Sequence, residues 1–127
     1  MLFGRQKIMS LRVLSLQAGA PIAFLKHEII DPNNLKILGF IVDGGVARGS
    51  KENFLDARDI REISSFGMIV DGETDLINPE EVIRVKKVLD LNFDLIGMKV
   101  ETKKGTKLGT VTDFVSDENL YCFAICA

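Results

Sequence analysis

Residues 96–115 read IGMKVETKKGTKLGTVTDFV. Two runs rich in apolar and β-branched residues, 96–102 and 108–115, flank Lys103-Lys104-Gly105-Thr106. Alternating strands about a short glycine-containing turn are a hairpin signal. Towards higher numbers, residues 116–119 form a turn and 120–125 (LYCFAI) a last strand. Towards lower numbers the period changes. Asn78-Pro79-Glu80-Glu81 opens a helix expected over 79–89: Asn caps, Pro suits the first turn, and two Glu face the positive end of the dipole. Val82, Val85 and Leu89 make its apolar stripe with Ile83 beside them, and Glu80 stands four before Arg84, the favourable order for an ion pair.

The first half is a series of short strands. Residues 11–16 (LRVLSL) and 20–25 (APIAFL) are too short for helices, and 27–31 continues extended. Asp31-Pro32-Asn33-Asn34 is a turn, since Pro fixes φ and Asp or Asn bonds its own backbone. Strand 35–42 (LKILGFIV) follows, with Leu35, Ile37, Gly39 and Ile41 expected on one face and Leu38, Phe40 and Val42 on the other. A glycine-containing loop over 43–50, a strand at 53–55, a helical turn at 56–60 and strands at 62–64 and 66–70 lead to a turn at Asp71-Gly72. The expected core is Leu14, Leu16, Ile22, Phe24, Ile30, Ile37, Phe40, Ile41, Ile60, Ile63, Met68 and Val70. The expected organisation is a domain over 10–77, a helical connector over 78–94 and a shorter repeat over 95–127.

Composition narrows the function. The 127 residues are 46% hydrophobic and 27% charged, which excludes disorder. Sixteen Lys and Arg against eighteen Asp and Glu exclude a basic nucleic-acid arm. The longest uncharged stretch, 13–25, is short of a membrane-spanning helix and broken by Gly19 and Pro21. The start, MLFGRQKIMS, lacks the apolar run of a signal peptide, so a cytoplasmic protein is expected. Cys122 and Cys126 share one strand face about 13 Å apart, too far for a disulfide. With His27 distant in sequence they make no metal set.

The two halves repeat weakly. Gly19-Ala20-Pro21-Ile22 matches Gly97-Met98-Lys99-Val100, and residues 29–35 (IIDPNNL) match 115–120 (VSDENL) with one deletion, so that KKGTKLGT reads as an insertion in the second repeat. A rival alignment pairs Leu38-Gly39 and Asp43 with Leu108-Gly109 and Asp113. The stretch 97–114 resembles the opening hairpin of a PRC-barrel domain, and 56–63 (DARDIREI) resembles that family's later acidic segment. The order of elements over 15–127 resembles small bacterial proteins carrying two PRC-barrel repeats. The resemblance implies a mainly β fold: a small, bent antiparallel barrel, one connecting helix and a partial second barrel. It also implies a relation to the cytoplasmic domain of the reaction-centre H subunit and to the C-terminal domain of the RimM-type ribosome maturation factor. Both use the barrel to dock onto an assembly.

Residue types offer little chemistry. There is no nucleophile elbow, P-loop or dinucleotide glycine pattern. His27 reads as a strand residue, and Asp71, Glu73 and Asp75 read as a solvated acidic turn without an EF-hand's closing glutamate. Arg58, Asp59 and Arg61 read as surface ion pairs. The expectation is therefore a non-enzymatic adaptor with no cofactor and no metal, docking on a protein or on another copy of itself. A RimM-type role in ribosome maturation or RNA assembly is the alternative, resting on Lys99, Lys103, Lys104 and Lys107. The final strand is uncharged and nothing in the sequence follows to pair it, so Leu120, Tyr121, Cys122, Phe123 and Ile125 are the candidate interaction edge. Val100, Val111, Phe114, Leu120, Phe123 and Ile125 carry more apolar surface than three strands hide. Either they fold back onto the first barrel through the 79–89 helix, or they pair with a second chain as a homodimer, the preferred expectation.

Overall fold

The computed structural model describes residues 2–44 and 52–127. The chain begins with β1 (Leu2–Gly4) and α1 (Arg5–Met9), followed by β2 (Arg12–Ser15), β3 (Ala20–Ile30) and β4 (Ile37–Gly44). Then come β5 (Asn53–Asp56), a 3-10 turn (Ala57–Asp59), β6 (Glu62–Ser64), β7 (Gly67–Val70) and β8 (Leu76–Ile77). A second helix, α2 (Ile83–Asp90), leads to β9 (Lys99–Glu101), β10 (Lys107–Asp117) and β11 (Cys122–Cys126). The mainly β expectation is borne out. The seven strands β6-β7-β2-β3-β4-β5-β8 form one curled sheet, and β1, β9, β10 and β11 form a smaller one. Pairing is antiparallel except between β2 and β7.

The sheets pack directly on each other. Val13, Ile37, Phe40, Val42, Leu55, Met68 and Val70 of the large sheet share one buried cluster with Val111, Phe114, Leu120 and Cys122 of the small one. Surplus apolar surface of the last strands is thus partly covered within the chain, and not through the helix. α2 instead seats Val85 on the other face, against Ile29, Ile41 and Phe54.

Several expectations are corrected. Val13 and Ser15 are buried while Leu16 is 60% exposed, and Ala23 and Leu25 are buried while Phe24 is 61% exposed. Leu14, Ile22, Ile60 and Ile63 are half-buried. The covered faces are those of Val13 with Ser15 and of Ala23 with Leu25, the opposite parity to the one expected, and a register shift between β2 and β3 leaves Ile22 as an extra residue on β3. A further bulge pairs Ile29 with Gly39 but Ile30 with Ile37, making Leu38 an extra residue. Ile37 therefore faces the main core with Phe40 and Val42, opposite to Ile41. Asp43 and Gly44 belong to β4, and the rest of the expected loop lies outside the described residues. The expected helix over 79–89 starts as a 3-10 turn (Pro79–Glu81), breaks at extended Val82 and resumes at Ile83, which is exposed. Asn78 does cap, accepting from the Glu80 N–H at 3.0 Å. Arg84 turns to Asp56, and Glu80 pairs with Lys86 at 3.4 Å. The expected strands 96–102 and 108–115 become 99–101 and 107–117. α1 was not foreseen.

The match of 29–35 with 115–120 holds, whereas the match at Gly19 moves. Gly19 and Gly105, both at positive φ (64° and 88°), turn the hairpins β2–β3 and β9–β10. They lie 86 positions apart, as do Asp31 and Asp117. Asp31 and Asp117 carboxylates accept from Asn33 and Asn119 N–H at 2.9 and 3.0 Å, and both turns end on a leucine at positive φ, Leu35 (56°) and Leu120 (65°). The bulge between Leu25 and His27 recurs between Val111 and Asp113. KKGTKLGT is thus the counterpart of the first repeat's own hairpin, not an insertion. Gly97 matches nothing at Gly19, and the rival alignment through Leu108 has no structural counterpart.

Candidate functional site

The two equivalent turns meet. Ile37 donates its N–H to Leu120 O at 2.8 Å and Cys122 donates to Leu35 O at 2.9 Å, about a bridge between Lys36 and Tyr121. Because 35–37 corresponds to 120–122, this contact has an approximate internal two-fold. It ends the pairing of β11 on that side: among the described residues nothing pairs with its outward edge beyond Cys122.

Which groups that edge presents follows from strand alternation. Tyr121 O accepts from Asp117 N–H at 3.2 Å, and Ala127 exchanges two 3.0 Å bonds with Thr110, so odd-numbered residues address β10. Cys122 N–H addresses Leu35, so even-numbered residues address outward. Ala124 and Cys126 therefore present both backbone groups along the open edge. The corresponding strand in the first repeat is β4. Pairing through β3 and β10 sets Phe40, Ile41 and Val42 against Ala124, Ile125 and Cys126. β5 covers β4 there, with Leu55, Phe54 and Asn53 opposite those three residues. β11 has no such cover among the described residues.

Residues of the candidate edge divide between two faces. Leu120 and Cys122 are buried in the shared core. Burial, with Glu28 and Asp117 nearby, pushes the Cys122 thiol up to about 12. Tyr121, Phe123 and Ile125 stand on the outer face, Phe123 52% and Ile125 44% exposed. Val115 and exposed Leu2 join them, since residues directly opposite share a face. The Lys36 ammonium sits 5.4 Å from the centre of the Tyr121 ring.

The charged clusters around Asp56 and Asp71 are internally paired. Asp56, its side chain 6% exposed, accepts from the Arg58 N–H and guanidinium and from Arg84. Burial opposes ionisation of Asp56, but the bonds from Arg58 and Arg84 outweigh it and hold its carboxyl below the usual range. The expected surface ion pairs among Arg58, Asp59 and Arg61 are corrected in their partners: Arg58 serves Asp56, and Arg61 reaches Asp71. Asp59 moves the other way, raised by burial and by Asp75 and Asp56 nearby. Asp75 accepts from the Asp71 and Gly72 N–H groups. A cleft of about 310 Å³ between the sheets is lined by Lys36, Arg58, Arg84 and Asn119, with Asp56 at its wall. Among the described residues no His, Cys, Asp and Glu gather into a metal-holding group, and no helix is long and apolar enough to cross a membrane. His27 lies exposed on β3. Lys99, Lys103, Lys104 and Lys107 are exposed on the β9–β10 hairpin.

Residues 91–123 match the model of the PRC-barrel domain family. That segment holds β9, β10, the acidic turn and the start of β11, so the resemblance drawn from the hairpin is borne out over it. A search among curated proteins finds no match.

Proposed function

We propose that this protein is a non-catalytic docking module that binds another protein through the outer face and open edge of β11. The observation that carries the reading is the coincidence, on one strand, of exposed Tyr121, Phe123 and Ile125 with the outward backbone groups of Ala124 and Cys126. Exposed apolar patches mark interaction sites, and unpaired edges recruit strands. The PRC-barrel match supports a module whose role is attachment rather than chemistry.

A RimM-type role in RNA assembly would run through the lysine hairpin instead. The comparison sets Phe123→Lys beside Lys103→Glu/Lys104→Glu, measuring protein association by sedimentation and RNA binding by salt titration. The docking reading expects association to be lost in Phe123→Lys and retained in the hairpin variant. RNA affinity that falls linearly in log salt, and is lost only in the hairpin variant, overturns it in favour of phosphate contact.

A further inference from the structure

We infer that the strand completing the open edge is β11 of a second copy, antiparallel and with Ile125 on the two-fold axis. The inference rests on the docking reading above and adds the occupant and the register. Three observations support it. The first repeat shows what belongs there: β5 runs antiparallel along the corresponding residues of β4. A strand paired with its own copy about a two-fold axis is necessarily antiparallel, so it reproduces that polarity.

The second observation is where the open groups lie. Leu35 holds the Cys122 N–H, leaving Ala124 and Cys126 with both outward groups open. An axis at Ile125 sets Ala124 opposite Cys126 of the second copy, and the reverse, closing four backbone hydrogen bonds. It sets Phe123 opposite Ala127 of the second copy and pairs the two open residues of each strand with each other. An axis at Ala124 would instead aim Cys126 of the second copy at the occupied Cys122 N–H.

The third is charge. A two-fold axis brings each strand against its own copy, and like charges directly opposite are destabilising. Residues 120–127 carry no charged side chain, so the edge avoids that repulsion. Ile125 would meet Ile125 of the second copy as a non-hydrogen-bonded pair, where Cα atoms approach to about 4.5 Å. A contact made of four backbone hydrogen bonds and one axial side-chain pair is small, so the dimer is weak and concentration-dependent.

The test uses the full chain with Cys126→Ser as background. Ile125→Cys places a thiol on the axis, and Ala124→Cys places one a residue off it. Mild oxidation by copper phenanthroline in air, with dioxygen taking the two electrons of each new disulfide, should cross-link the first at least tenfold faster than the second. The reverse order overturns the register. A second measurement needs no variant: amide exchange of the unmodified chain. Ala124 and Cys126 should gain protection as concentration rises to about 1 mM, while Phe123 and Ile125 stay protected throughout. A monomeric mass and fast exchange at Ala124 and Cys126 at that concentration overturn the second copy as occupant. The docking reading fails separately, where the unmodified chain does associate and a Phe123→Lys variant associates equally.

Discussion

The two cysteines show how far neighbouring positions of one strand diverge. Cys122 is buried, with its thiol pushed up to about 12, whereas Cys126 is exposed at the open edge. The thiolate is the reactive form, so a thiol-specific reagent at neutral pH should modify one cysteine per folded chain and two after denaturation. Rapid reaction of both in the folded chain would remove Cys122 from the core. Asp56 supplies the pH dependence. A carboxyl whose folded value is lowered stabilises the fold fully above its unfolded value near 4, and that contribution is lost as pH falls through the lower folded value. The stability gap between the unmodified chain and Asp56→Asn should hold from pH 7 to about 5 and then narrow below about 4. Asp56 and Arg58 were visible as charged residues. Their convergence with Arg84 was not, because no local spacing reports a contact across 28 positions.

At the level of elements, strand existence was legible and strand facing was not. Apolar runs, Asp31-Pro32-Asn33-Asn34 and Lys103-Lys104-Gly105-Thr106 located β3, β4, β9 and β10. Apolar character did not tell which face was covered: Val13 with Ser15 and Ala23 with Leu25 turn inward, leaving Leu16 and Phe24 outside. Phe40 is fully buried, so Phe40→Ala should cost about 3–5 kcal/mol in denaturant unfolding. An unchanged midpoint would contradict its burial. Gly39 is a sharper test of the β4–β5 contact. A Cβ there would collide with Leu55 O and the Phe54 ring. Gly39→Ala should lower stability by about 1–3 kcal/mol, as overpacking does. A neutral effect would mean that β5 sits farther from β4. A helical segment after Asn78 was legible from that cap and from Val85, but the cap serves the 3-10 turn at Pro79–Glu81, and the break at Val82 before α2 was not legible.

At the level of the whole molecule, the repeat and the uncharged final strand were legible, and they located the candidate edge. The alignment went astray by weighting Gly-x-x-Val over equal spacing: Gly19 to Gly105 and Asp31 to Asp117 share one offset. That Leu35 closes one end of the edge was beyond sequence, because the contact joins distant turns. The common core has a mechanical consequence. Leu120→Ala should lower the stability of both sheets together, by about 2–5 kcal/mol, with near-ultraviolet and amide-exchange probes coinciding. Two separated transitions would show that the sheets unfold independently.

The bridge between Lys36 and Tyr121 joins positions 85 apart, and it is where the two acidic turns meet. Closing so long a segment is entropically unrewarded until both leucine turns have formed. High sequence separation slows the search for the native state, so refolding should take milliseconds to seconds rather than microseconds. Until that closure is made, β10 and β11 have no core to lie on, and the hairpin they form is left to water or to its neighbours.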